Sequence, residues 1–275
     1  MTDFISLIPE TVLSMIGTPD CPPIIDVRID EDFDADPRLI PSARRYSHHT
    51  IKDWMPYYQG QSVLVYCDRG LKLSEGVAAL MREAGIDAKS IRGGGFQGWR
   101  SEGLPLVPYQ KIPKRNEEGR TLWVTRTRPK IDRIACPWLI RRFIDPDAAF
   151  LFVSADQVKD VADRFDGSPF DIEDTFWSHD GERCSFDKMV AQFEIGSVAL
   201  DRVSQIVRGA DTAKLDLAPE ASGLLAISLG LSQMCHDDLQ QLEAGMLIYD
   251  ALYHWARDAI DEGHNWPSVQ AGKVA

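Results

Sequence analysis

The sequence predicts an α/β first half, a parallel sheet with flanking helices, followed by a mainly helical α+β second domain. Three observations carry this. Residues 23–27 (PIIDV), 62–66 (SVLVY) and 90–92 are short strand-like runs separated by amphipathic segments, an alternation that implies parallel strands joined by crossover helices. At 109–120 (YQKIPKRNEEGR) the apolar periodicity stops and the composition becomes that of a linker. Beyond it, a strand-like run at 121–128 leads into helical patterns at 155–165, 198–207, 219–234 and 237–260. In the last of these, Leu239, Leu242, Met246, Tyr249 and Tyr253 recur at spacings of three and four, which makes one buried stripe on a long helix. The domains are therefore 1–108 and 121–275, with 109–120 between them.

A chain of 275 residues is long for one core and comfortable for two. Its 44% hydrophobic and 26% charged content is that of globular protein. The net charge of -12 is uneven. Residues 1–115 hold 15 acidic and 14 basic side chains, and residues 116–275 hold 27 and 16. Such a surface is a poor match for nucleic acid, whose backbone needs a cationic partner to release counterions. The longest apolar run, at 223–231, is far short of a membrane span, and the first residues lack the basic and apolar blocks of a secretory leader. The five cysteines, Cys21, Cys67, Cys136, Cys184 and Cys235, are odd in number and never spaced as CxxC, which argues against a disulfide scaffold and points to the cytoplasm.

Chemistry is concentrated at residues 66–74 (YCDRGLKLS), between an apolar strand and a helical pattern over 74–85 for which Ser74 is the expected cap. A cysteine at a strand end, followed by a short loop closing on a helix N-terminus, faces backbone N–H groups that have no intrahelical partner. Such dipoles favour thiolate over thiol and cradle a persulfide or an oxyanion. Gly70 lets the loop curl, and Arg69 and Lys72 add positive charge that Asp68 opposes. The competing reading is that Cys67 is a small buried hydrophobe.

Other segments of this half decide between them. Ile25-Asp26-Val27-Arg28, Leu39-Ile40-Pro41-Ser42-Ala43, and Gly93-Gly94-Gly95-Phe96-Gln97-Gly98-Trp99 with Gly103-Leu104-Pro105 resemble, in order, the motifs of the rhodanese family, across residues 5–107. The second of these stands where the family usually has His-Ile-Pro-Gly-Ala. The resemblance implies that Cys67 is the nucleophile that accepts sulfane sulfur and that Asp68, Arg69, Gly70, Leu71, Lys72 and Leu73 bind the donor. It implies a small anionic sulfur donor, a thiol or cyanide acceptor, and no cofactor. Many members carry Arg-Ser where this sequence has Lys72-Leu73. Asp26 with Arg28 reads as a structural ion pair, and His48 with His49 as a surface loop.

In the second half, residues 128–142 (RPKIDRIACPWLIRR), 178–186 (SHDGERCSF), 208–211 (RGAD) and Asp237-Asp238 resemble the C-terminal domain of ChrB-type chromate resistance proteins, which implies a setting of chromate, metal or oxidant resistance. The residues offer two candidate sites. If Pro137 opens a helix, Cys136 is its N-cap, and with Arg133 and Arg141 nearby the thiol would accept sulfur or face an oxyanion. If the helix starts upstream, Asp132 and Cys136 lie four apart on one face, and the cysteine is an ordinary buried one in an Arg-rich helix. The second candidate is a zinc or other transition-metal site drawn from His179, Cys184, Asp132, Asp211, Asp237 and Asp238, with Asp180-Gly181 turning the chain so that His179 and Cys184 flank a hairpin. Two alternatives thus stand beside sulfur transfer: an oxyanion- or metal-sensing binding protein, and a metal-dependent redox enzyme in the second domain.

Overall fold

A computed structural model describes residues 5–262; the part of the second domain assigned to 263–275 lies outside the described residues. The first half contains β1 (Ser6–Leu7), β2 (Ile24–Asp26), β3 (Arg38–Leu39), β4 (Arg44–Arg45), β5 (Ser62–Tyr66), β6 (Asp87–Ile91) and β7 (Val107–Pro108). Strands β1, β6, β5, β2 and β4 form, in that order, an all-parallel sheet, and β3 pairs with β7 antiparallel. The helices of this half are α1 (Pro9–Met15), α2 (Asp30–Ala35), α3 (Ile51–Trp54), α4 (Lys72–Glu83) and α5 (Gly95–Ser101).

Because side chains alternate across a strand, the sheet has two buried faces. Ile25, Val63, Val65 and Ala88 pack with Val77, Ala78 and Met81 of α4. Ile24, Leu64, Tyr66 and Ile91 join a larger core that continues without a break into the second half through Ile134, Trp138 and Phe143.

The second half has a three-stranded parallel sheet, β10 (Ser168–Pro169), β8 (Leu122–Arg126) and β9 (Ala149–Val153) in spatial order. Its helices are α6 (Ile131–Phe143), α7 (Val158–Arg164), α8 (Ser185–Gln192), α9 (Val198–Asp211), α10 (Ala221–Met234) and α11 (Asp238–Asp258). Helix α6 is buried almost throughout. Its Trp138 lies among Phe143, Phe186, Tyr249 and Tyr253 and donates to Asp250 Oδ1 at 2.8 Å. Gly245 of α11 is required because a Cβ there would come 2.5 Å from Ile134 Cγ2. The stripe on α11 buries Leu242, Met246, Tyr249 and Tyr253, whereas Leu239, in the first turn, is exposed. Among the described residues no helix is long and apolar enough to cross a membrane.

The stretch at 109–120 is ordered and tied down at both ends. Tyr109 donates its N–H to Pro37, Lys111 reaches Gln192, and Arg115 pairs with Asp145 at 2.5 Å. Asp145 is the joint between the halves. It is fully buried and also meets Arg44 of β4 at 3.1 Å, while its Oδ2 accepts from the N–H and hydroxyl of Thr121 at 2.7 and 2.8 Å. A second tie is the Ser42 N–H, which donates to the Phe143 carbonyl at 2.5 Å. Ser42 has φ 64°, a left-handed conformation that explains why glycine is usual at this place in the motif.

Burial alone would raise the Asp145 carboxyl pKa, but Arg115, Thr121 and Arg44 outweigh it and hold it below the ordinary aspartate value. A depressed folded-state pKa contributes stability that is present above the unfolded value and lost as pH falls through the folded one. Asp145→Asn should therefore cost about 3 kcal/mol near neutral pH, because it leaves two guanidinium groups facing a neutral amide. In urea titrations at stepped pH, the gap to wild type should close as the solution is acidified below pH ~4. A gap that is constant with pH would show that the ion pairs contribute nothing.

Candidate functional site

Cys67 follows β5 directly, and the loop 68–71 carries the chain into α4. The helix begins at Lys72, with Leu71 as its N-cap and no side-chain cap. Ser74 is thus not the expected cap. It lies in the first turn, buried, with its hydroxyl 3.2 Å from Cys67 Sγ. Among the described residues, the N–H groups of 68–74 donate to no carbonyl or side chain. These are the unpaired donors that a strand–loop–helix corner leaves free.

Cys67 is 5% exposed and contributes to the lining of a cleft of about 930 Å³ together with Asp68, Arg69, Leu71, Lys72 and Leu73. Neither Arg69 nor Lys72 forms an ion pair among the described residues, so their charge is available to an incoming anion. The Asp68 carboxylate turns aside to Gln97 Nε2 at 2.5 Å. Burial, and then Asp32, raise its pKa above the ordinary aspartate value.

Gly70 does not line the cleft. With φ +63°, it presses against the backbone of Gly95, and a Cβ on it would stand 2.6 Å from Gly95 N and 2.7 Å from Ile91 O. Gly95 is therefore the floor on which the cysteine loop rests. Phe96 and Gln97 add to it by donating their N–H groups to the carbonyls of Cys67 and Asp68 at 3.0 and 2.9 Å.

Ile29, Asp32 and His48 also line the cleft. Sequence reasoning missed them because they follow other strands and reach the cysteine only through the sheet's parallel order. For His48, burial and the neighbouring His49 lower the imidazole pKa. Asp26 and Arg28 are the expected structural pair: both are fully buried, and the guanidinium donates to Asp26 Oδ2 at 2.7 and 2.9 Å.

The second half corrects several expectations. Helix α6 starts upstream of Pro137, so Cys136 is not an N-cap. It is fully buried, and burial, then Asp132 and Asp171, hold its thiol well above the ordinary value. Arg133 and Arg141 do not attend it: Arg133 pairs with Asp171 and Arg141 with Glu243. Cys184 is the N-cap of α8 with no exposure, and burial, then Asp132, raise its thiol. Asp237 caps α11 by accepting from Gln240 N–H, and Asp238 accepts from Arg128 N–H. None of these three joins a ligand cluster.

Asp132, His179 and Asp211 do converge, with one donor atom from each within 4.8 Å of the others. Asp171, which sequence reasoning missed, stands beside them, its Oδ1 3.5 Å from His179 Nε2. The expected turn after His179 is present as the bridge between Asp180 and Arg183.

The loop, its glycine floor and the parallel sheet define the class: residues 9–102 form a rhodanese-like domain. The remainder is more particular, since residues 123–256 form a ChrB C-terminal domain. The chain is 35% identical to Protein ChrB of Cupriavidus metallidurans over 157 residues, which is 56% of this chain and 47% of that protein. It thus spans about half the length of that curated relative. Similar solved structures include a rhodanese-like domain protein from Staphylococcus aureus, 25% identical, covering 34% of this chain and 90% of that one with a TM-score of 0.31. Another is a rhodanese-related protein from Thermoplasma volcanium, 18% identical, covering 38% and 98% with a TM-score of 0.33.

The glycine floor is testable by comparison. Gly95→Ala forces a Cβ into the Gly70 backbone at φ +56° and should cost about 2–4 kcal/mol. Gly85→Ala has a similar positive φ but nothing within 4 Å, and should cost only about 1 kcal/mol. Denaturant melts yielding equal losses would contradict the contact.

Proposed function

We propose that this protein is a sulfurtransferase that carries sulfane sulfur on Cys67. The observation that carries the reading is the placement of one thiol at the edge of a cleft, beside a loop and helix start whose N–H groups have no other partner. A thiolate there attacks the outer sulfur of an anionic donor such as thiosulfate. The donor's S–S bond breaks with its electron pair leaving on sulfite, and Cys67 is left as a persulfide. The free N–H groups and the unpaired Arg69 and Lys72 hold the anion during attack and the persulfide afterwards. A thiol or cyanide acceptor then takes the terminal sulfur, and the Cys67 thiolate returns. The step needs no metal or organic cofactor.

Many rhodaneses place a guanidinium and a hydroxyl where Lys72 and Leu73 stand. A lysine offers a point charge instead of a bidentate fork, which favours small or protein-borne persulfides as donors alongside thiosulfate. The ChrB-type second domain supports a setting of chromate or oxidant resistance, the association read from its sequence. An oxyanion-binding protein with the same cleft is the alternative, and it would use the N–H groups without the thiol.

Thiocyanate production from thiosulfate and cyanide separates the two. Cys67→Ala should lower the rate at least about 100-fold, while Cys136→Ser and Cys184→Ser should leave it within about twofold, because both thiols are sealed in the core. Intact mass after thiosulfate should show the gain of one sulfur atom, lost in Cys67→Ala. Equal turnover in wild type and Cys67→Ala would remove the sulfurtransferase reading.

A further inference from the structure

Among the described residues, two of the carboxylates around His179, those of Asp132 and Asp211, have no cationic partner other than His179, whereas Asp171 also faces Arg133 and Arg126. Its Nε2 lies 3.3 Å from Asp211 Oδ2, 3.5 Å from Asp171 Oδ1 and 3.6 Å from Asp132 Oδ2. A direct charge-assisted hydrogen bond would be about 2.7–2.9 Å long. Moreover, one imidazolium N–H can satisfy only one of three carboxylates. Ligands held about 2.0–2.1 Å from a tetrahedral ion stand about 3.3–3.4 Å apart; His179 and Asp211 have that spacing, His179 and Asp132 are 3.6 Å apart, and all three donor atoms lie within 4.8 Å of one another.

Three further observations point to a cation-binding site. Asp132 is fully buried, and its Oδ1 has no hydrogen-bond partner at all. Its Oδ2 is fixed by the Ser185 N–H at 2.6 Å, so the side chain cannot swing out to water. Asp211 is the last residue of α9, where the helix dipole is negative and a carboxylate is unfavourable without a positive neighbour.

We propose that Asp132, His179 and Asp211 bind one divalent transition-metal ion, zinc or manganese. Imidazole with two carboxylates is a borderline-to-hard donor set suited to such ions, and the thiols a softer ion would need, Cys136 and Cys184, lie outside the cluster, Cys184 as the cap of α8. Asp171 is not a ligand. Its Oδ2 faces Arg133 Nε at 3.3 Å and its Oδ1 accepts from Ser185 Oγ at 3.0 Å, so it steadies the negative wall behind the ion. Three protein ligands leave a coordination position open. His179, 41% exposed, and Asp171 both line a cleft of about 670 Å³, so that position faces solvent and takes water or a small anion. This site is separate from Cys67 and does not depend on its chemistry.

The test uses the full chain, stripped with a chelator and dialysed, then titrated calorimetrically with Zn²⁺ and, separately, with Mn²⁺. One ion per chain is expected for at least one of them. His179→Ala and Asp211→Asn should each weaken binding at least about 100-fold, while Asp237→Asn, whose carboxylate caps α11, should leave it unchanged. Circular dichroism checks the fold of each variant, and His179→Gln replaces His179→Ala if the latter unfolds. No saturable binding of either ion, or binding that survives loss of His179 and of Asp211, overturns the assignment.

Discussion

The guanidinium of Arg28 is sealed inside the protein at the end of β2, and much of the first domain is arranged to make that tolerable. Burying a charge costs several kcal/mol unless it is paired and its remaining donors are satisfied. Here Asp26 supplies the counter-charge, and the carbonyls of Asp36 and Arg38 accept the other N–H groups at 3.0 and 2.6 Å. Phe96 lies face-on to the guanidinium, 3.7 Å from its ring centroid. Tyr66 completes the network by donating to Asp26 Oδ2 at 3.1 Å and accepting from Ile40 N–H. The chain on either side of Cys67 is therefore fixed from within: Tyr66 precedes it, and Phe96 both covers Arg28 and holds the Cys67 carbonyl.

The five cysteines illustrate how surroundings select one thiol from several. Cys136 and Cys184 lie beside the Asp132 cluster, where burial and negative potential both disfavour a thiolate. Cys21, half-buried, is raised to about 11, chiefly by burial. Cys67 alone among the three buried ones contributes to the lining of a cleft, and its Sγ lies 3.2 Å from the Ser74 hydroxyl. Burial and neighbouring carboxylates thus hold Cys136 and Cys184 as thiols, and the thiol proposed to carry sulfur is the buried one that opens to a cleft.

Much of this was legible in the amino-acid order. The alternation of strands and helices, the cysteine corner and the buried Asp26–Arg28 pair are local patterns, and local patterns survive folding. Ser74 misled because a serine before an amphipathic run resembles a cap, yet the helix gains nearly one more turn by starting at Lys72. Pro137 left two helix starts open, and the structure takes the upstream one: proline favours a first turn, but α6 is so heavily buried that packing overrides the preference. In the Asp132, His179 and Asp211 cluster the three residues come from distant segments. Their residue types hinted at a shared site, but only the tertiary structure shows that Cys184, Asp237 and Asp238 have other partners and that Asp171 stands beside the three.

The core that runs from the first sheet into α6 gives the fusion a particular mechanical character. The turn where Asn116 N–H meets the Arg120 carbonyl is exposed, yet the pieces on either side share apolar side chains and the Asp145 joint. A chain cut between Asn116 and Gly119 would behave as a tight heterodimer and not as two free modules. The halves are then held together by packed side chains and the Asp145 ion pairs as much as by the covalent connection.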